Sequence, residues 1–239
     1  MIKYLIVLLP IFSFSQEAIR IEYEMKQEFD KQAKDKLGIK YAEILQNSEN
    51  KRYYYELLAN TKQSQFLEIE RINNDQNSKG ATLGLSTNVS ANIYKDFSTN
   101  VLYEENTMKS KLLVKDSLQH FTWVLTKDEA TVLGYKVKKA TYSNNNQMVE
   151  AWYTTELPFR DGPSRFSGLP GLILKVNFKL PFVADMDTNV SFTAIDVKPY
   201  SGKIEISNKF KIVSREEFKK EVEKNSSKFN TISSGVEKD

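Results

Sequence analysis

The chain has no cysteine and a single histidine, His120. The first absence excludes disulfides, a zinc-thiolate site and a lipid attached to an N-terminal cysteine. A lone imidazole beside Phe121 is a poor metal site, so a structural or surface place suits His120 better. An excess of one charge is missing too: 34 Lys and Arg stand against 31 Asp and Glu, a formal net charge of +3. The two signs are interspersed as on a solvated surface, without the clustered basic face of a nucleic-acid binder. No stretch reaches the roughly 20 apolar residues that a spanning helix needs. Proline and glycine are scarce, six and nine in 239 residues, so any place where they concentrate is informative.

What the N-terminus does carry is a three-part secretory leader over residues 1–15. Lys3 gives the positive start, Leu5 to Phe12 an apolar run broken by Pro10, and Ser13-Phe14-Ser15 a small-x-small cleavage site before Gln16. The expected product is an exported chain beginning at Gln16, periplasmic or extracellular, with no membrane span in its mature form. Without disulfides its stability must come from packing.

From Gln16 to residue 224 the pattern is that of one β-rich domain. Ile19, Ile21, Tyr23 and Met25 alternate with Arg20, Glu22 and Glu24, a period of two that defines a strand with one apolar face. Residues 27–49 lose that period and suit a partly helical segment with Gly38 as a stop. Tyr53 to Leu58 and Ser64 to Ile72 form a hairpin across Asn60-Thr61-Lys62-Gln63. Residues 73–92 are polar and aperiodic, as in an exposed loop. Strands are then expected at 93–97, 101–105, 111–115, 121–125, 135–142, 148–155, 172–178, 190–197 and 203–212, with Ser143 to Asn146 the clearest turn. Ser214 and Glu217 make a capping box, with Val213 and Phe218 as its hydrophobic staple, so a helix starts there. Residues 225–239 have almost no apolar content and suit a disordered tail. The fold class is mainly β, β-rich α+β: a single antiparallel meander sheet or an open half-barrel, with a C-terminal helix and an N-terminal helical segment.

Glycine and proline concentrate in one place. The strand ending in Trp152-Tyr153-Thr154-Thr155 runs into Leu157-Pro158, Asp161-Gly162-Pro163, Phe166 and then Gly168-Leu169-Pro170-Gly171-Leu172-Ile173. Pro170 fixes its own φ, and Gly171 after it is suited to the positive φ of a type II turn. Leu172-Ile173-Leu174 then opens a strand buried on both faces. Two uses fit this corner. It is a rigid packed turn, or it shapes a pocket floor or docking edge with Trp152, Tyr153 and Phe166 as aromatic contacts.

Phe121-Thr122-Trp123, Gly134-Tyr135 with Lys139-Ala140, Ala151-Trp152-Tyr153, Gly162-Pro163 and the hexapeptide Gly168 to Ile173 together resemble the GLPGLI family of exported proteins from Bacteroidota-type bacteria. The resemblance covers about Phe121 to Val176, and is weaker at Ile19 to Met25 and around Leu57 and Phe66. It implies an exported cell-envelope protein of β-rich fold and no catalytic residue. Val137 stands where members often carry a cysteine, so a thiol-dependent role is excluded.

Catalytic equipment is sparse. Asp161 with Glu156, Asp128 or Glu129 is the one conceivable acid and base pair of a hydrolase. No Gly-x-Ser-x-Gly elbow accompanies the single His, and Gly80 to Gly84 lacks the ending of a phosphate loop. Tyr53 to Tyr55 suit core and surface rings better than a stacking platform. No metal or cofactor is expected. The favoured role is non-enzymatic: binding or carrying an apolar or peptide-like ligand. A second role is docking on an envelope partner through a strand edge or the 73–92 loop. Asp116-Ser117-Leu118 matches a short acceptor for O-glycosylation.

Overall fold

The computed structural model describes residues 18–71, 92–106, 112–144, 147–183, 186–206 and 210–234. The expected leader, all of the 73–92 loop except Asn92, Asn145-Asn146 of the expected turn and the end of the expected tail lie outside them. The elements are β1 (Ala18–Phe29), α1 (Lys31–Leu37), α2 (Ile39–Asn50), β2 (Tyr53–Asn60), β3 (Gln63–Ile69), β4 (Ile93–Asp96), β5 (Val101–Asn106), β6 (Leu112–Ser117), β7 (Val124–Val132), β8 (Tyr135–Asn144), β9 (Gln147–Thr154), β10 (Leu172–Val183), β11 (Met186–Pro199), β12 (Lys211–Ser214) and α3 (Arg215–Ser234).

The strands make one open sheet in the order β12-β6-β5-β4-β3-β2-β1-β11-β10-β9-β8-β7. The mainly-β class with an open sheet is therefore as expected, and the sheet is built from two meanders, β2 to β6 and β7 to β11. The first strand joins them: Tyr23 of β1 faces Tyr55 of β2 on one side and Ala194 of β11 on the other. Every adjacent pair is antiparallel except β12 with β6, which is parallel.

Alternation along the strands separates an apolar face from a charged one. Ile19, Ile21, Tyr23 and Met25 are fully buried, whereas Arg20, Glu22, Glu56 and Arg71 pair with one another on the opposite face. The apolar face carries a chain of rings. Phe166 meets Phe178 at 5.0 Å, Phe178 meets Phe192 at 6.2 Å, and Phe192 meets Phe66 at 5.6 Å. Side chains thus fill this face of the sheet.

Gly38, at φ 69°, separates α1 from α2. The second helix docks on β1 through Leu45 and through the buried Gln27, whose Nε2 donates to the Ser48 carbonyl at 3.0 Å. The capping box of α3 forms as its sequence requires, with the Ser214 N–H donating to Glu217 Oε2 at 2.8 Å and the Glu217 N–H to Ser214 Oγ at 3.1 Å. Val213 packs with Leu112 and Val114, and Phe218 lies against them. The helix runs on to Ser234, past residue 225 where a disordered tail was expected. Ser, Lys and Asn cost a helix interior only fractions of a kcal/mol each, about 0.7 at most, once a capped start has paid the nucleation cost.

Two expected strands are displaced. The strand expected at 121–125 begins at Val124 and runs to Val132, because Phe121 and Trp123 turn away to cover the corner. Its charged stretch Lys127-Asp128-Glu129 is tolerated since β7 is a sheet edge. Leu133 and Gly134, at φ 52° and 84°, then close the β7–β8 hairpin with the two positive φ values of a type I′ turn. Of the expected strand 203–212, only Lys211 and Ile212 lie in β12, since its ladder with β6 starts at Lys211.

Candidate functional site

The segment between β9 and β10, residues 155–171, folds back over the apolar face and buries Leu157, Phe159, Phe166 and Leu169. Its backbone makes hydrogen bonds within the segment and with the start of β10. Leu172 N–H donates to the Leu157 carbonyl at 3.1 Å, Ile173 N–H to Asp161 at 2.9 Å and Gly168 N–H to Arg160 at 3.1 Å, while Asp161 and Ser167 form an isolated antiparallel bridge.

The glycines serve close approach more than turn conformation. Gly171 does not have the positive φ expected of it; that conformation falls at Gly168, φ 92°, and at Ser164, φ 54°. A Cβ on Gly171 would lie 2.0 Å from the Thr154 carbonyl oxygen, and one on Gly162 would lie 2.7 Å from the Ile173 Cβ. Gly162-Pro163 and the hexapeptide are therefore two halves of one contact. Leu172, Ile173 and Leu174 are all buried, because a register shift against β9 between Ile173 and Lys175 inserts Leu174 as a bulge.

Beneath the corner lies a buried ion pair that no sequence motif marks. Lys95 of β4 is fully buried, and its Nζ donates to Asp161 Oδ1 at 2.5 Å, to the Gly162 carbonyl at 3.0 Å and to the Phe166 carbonyl at 3.3 Å. Three acceptors saturate an ammonium group. Burial pulls the Lys95 pKa below its ordinary value, and Asp161 opposes that shift. The Tyr23 hydroxyl donates to the Ile173 carbonyl at 2.6 Å. Burial first, and the Asp161 charge second, push its pKa well above the usual value of 10.0. Asp161 Oδ2 is buried without a hydrogen-bond partner among the described residues. The signal for Lys95 was present in its parity, two residues after the core-facing Ile93 on a short strand.

This arrangement removes the hydrolase pair. Asp161 is sealed with Lys95, whereas Asp128, Glu129 and Glu156 are exposed; Asp128 faces Lys139 at 3.6 Å, and Glu156 Oε1 accepts from the Lys136 N–H at 3.0 Å. The aromatic trio is also split. Tyr153 and Phe166 lie in the core, but Trp152 stands on the charged face, where its Nε1 donates to Glu150 at 3.0 Å and the Lys139 ammonium lies 5.6 Å from its ring. Gly162, Pro163, Leu169, Gly171, Leu172 and Ile173 are buried, and only Gly168 and Pro170 of the expected corner residues are exposed. Ser117 is exposed at the end of β6, and the neighbouring Asp116 carboxylate accepts from Arg215 Nε at 2.9 Å. No group of three or more potential metal ligands occurs among the described residues.

Beside the exposed rim of the corner is a groove of about 490 Å³. Phe97, Leu118, Phe121 and Pro158 supply its apolar surfaces, and His120 and Arg160 its cationic or ionisable ones. Amide and hydroxyl groups of Asn60, Thr61, Asn100 and Gln119 complete the walls. Four separate stretches meet here and are tied together. Asn60 Oδ1 accepts from the Gln63 N–H at 2.7 Å, Phe97 N–H donates to the Lys62 carbonyl at 2.8 Å, and Leu118 N–H to the Asn100 carbonyl at 3.2 Å. Trp123 Nε1 donates to the Ser167 carbonyl at 2.9 Å, and its ring stacks on Phe121 at 5.3 Å. Several of these residues belong to patterns that the sequence marks, Asn60 and Thr61 to a hairpin turn, Phe121, Trp123 and Gly168 to the family signature and Pro158 to the glycine-proline corner. They lie far apart along the chain, and only the sheet order makes them neighbours.

The apolar face of the open sheet is thus closed by a packed loop, with a surface groove at the loop's rim. The family of proteins of unknown function named Porph_ging matches residues 23–175, from β1 through the corner into β10, and the chain belongs to this family. Among solved structures, two crystal forms of PNGF-II share the fold. They align with TM-scores of 0.54 and 0.51 at 19% and 20% identity, over 85% and 83% of this chain. Only 32% and 31% of those chains are covered, so this chain spans about a third of their length. A LolA superfamily protein, NE2245 from Nitrosomonas europaea, aligns at 10% identity over 80% of this chain and 89% of its own, with a TM-score of 0.32, too low to establish a shared fold. No curated protein sequence matches.

Proposed function

We propose that this is an exported, non-enzymatic binding protein of the cell envelope that takes a peptide-like ligand in the groove beside the corner. The observation that carries it is the groove itself: apolar floor, amide-rich walls and a backbone fixed by cross-turn hydrogen bonds, which is how a pre-formed ligand site is built. The filled apolar face argues against an apolar cargo held inside the sheet. Docking through a strand edge is also disfavoured, because β7 carries Lys127, Asp128 and Glu129 with a register irregularity between Leu125 and Glu129, and β12 is only four residues long. Export rests on the leader at residues 1–15, and no described helix is long and apolar enough to cross a membrane.

The test uses Trp123 as a reporter. In a Trp152→Phe background it is the one remaining tryptophan of two, and its emission reports from behind the groove wall, where its ring stacks on Phe121. Acetylated peptides titrated into this protein are expected to shift that emission saturably, and Phe97→Glu is expected to abolish the shift while leaving the melting temperature near its parent value. A shift that survives Phe97→Glu would place the ligand elsewhere.

A further inference from the structure

The groove lining contains a guanidinium and an imidazole but no carboxylate. Arginines elsewhere on the described surface are matched: Arg20 and Arg71 pair with Glu22, and Arg165 and Arg215 with Glu104. Arg52 donates to the carbonyls of Glu49 and Lys51. Arg160 differs. Its Nη2 donates to the Gly168 carbonyl at 3.2 Å, which anchors the side chain at the rim of the groove, and no carboxylate among the described residues forms an ion pair with it.

A guanidinium has five N–H donors in a planar fork, and one bond to a carbonyl leaves the others unassigned. That fork matches a carboxylate in two-point geometry. On the opposite side of the requirement, Leu118 and Phe121 offer apolar surface, and Thr61, Asn100 and Gln119 offer the donors and acceptors that a peptide backbone needs. Taking the groove as the binding site of the preceding section, we infer that it captures the C-terminal end of a peptide. The terminal carboxylate sits on Arg160, with His120 adding a further donor, and an apolar last side chain lies against Phe121 and Leu118. A long acyl chain with a carboxylate head shares the charge, but it needs a continuous apolar channel, and the amide-rich walls do not provide one.

The experiment is affinity selection on the full protein, read by mass spectrometry. The probes are a library of acetylated tetrapeptides ending in Phe, Leu or Val, each in free-acid and amide form, with dodecanoate alongside. A charge-assisted hydrogen bond is worth about 1.5–3 kcal/mol, so free acids are expected to be retained about tenfold or more over their amides. Arg160→Gln is expected to abolish that preference and Arg160→Lys to keep part of it. The acid-to-amide ratio of the unaltered protein is read first and depends on no variant. Equal retention of acids and amides, both lost in Phe97→Glu, overturns the carboxylate inference and leaves groove binding standing. Retention of dodecanoate in place of the peptides overturns the peptide assignment, and retention of no probe overturns both readings.

Discussion

A methyl group on Gly171 would meet the Thr154 carbonyl oxygen at 2.0 Å, whereas one on Gly168 would find its nearest described neighbour, Trp123 Nε1, at 3.9 Å. The two glycines are therefore required for different reasons, the first for space and the second for its positive φ. Gly171→Ala is expected to destabilise the protein by about 3 kcal/mol, since backbone must move to admit the side chain. Gly168→Ala is expected to cost about 1–2 kcal/mol of backbone strain. Urea denaturation of the two variants ranks them, and the opposite order would show that conformation dominates at the corner. Lys95 acts at the same scale. Losing one partner of a buried pair leaves an uncompensated charge, so Lys95→Met is expected to lose about 3–5 kcal/mol. Adding Asp161→Leu should recover much of that loss, as a double-mutant cycle will show. The corner's glycines were legible as glycines in the sequence. Their partners were not, because Thr154 and Ile173 are brought against Gly171 and Gly162 by folding.

Helix α3 shows how far an element is written locally. Val213, Ser214, Glu217 and Phe218 lie within six consecutive residues, and the capping box and staple form with the residues the sequence designates. The Ser214 backbone N–H and hydroxyl hold the Glu217 carboxyl below its ordinary value of 4.5. A carboxyl depressed in the folded state contributes stability that is full above about pH 4.5 and is lost as pH falls through the lower folded value. Amide protection factors in the first turn of α3, which remove the intrinsic slowing of exchange at low pH, are therefore expected to fall below pH 4.5, and Glu217→Gln should flatten that dependence without changing protection in β1. A first turn insensitive to pH would exclude the cap as its stabiliser. Strand β7 is the opposite case. Its charged run breaks the alternation by which strands are read, and it is a strand because β8 pairs with it. The same holds for Phe121 and Trp123, which read as strand residues but leave the sheet to pack on the corner.

The whole sheet depends on a contact between the chain's two ends of the domain. β1 is its middle strand and pairs with β11 along its length, from Ile19 opposite Pro199 to Phe29 opposite Thr188. Such long-range pairing makes folding slow relative to helical domains and binds the two meanders into one cooperative unit. A chain ending after Thr154 loses β10 and β11, exposes one side of β1 and leaves Tyr23 without the Ile173 carbonyl. It is expected to show no cooperative thermal transition, although it retains β2 to β6. A cooperative melt of that fragment would mean the first meander folds alone.

At this scale the contributions of sequence and tertiary structure separate by range. Period-two alternation, turn residues and caps act within a few residues, so the β-rich class, most strands, the capped helix and the glycine-proline corner follow from the sequence by itself. The joining of two meanders through β1, the sealing of Asp161 by Lys95 and the groove formed from four distant stretches arise only when those strands pair. Each brings together residues separated by tens of positions, and the forces that select them are burial and steric fit. Most of the corner's glycine, proline and apolar residues are buried in packing, and the groove at its rim draws on side chains that no single local pattern joins.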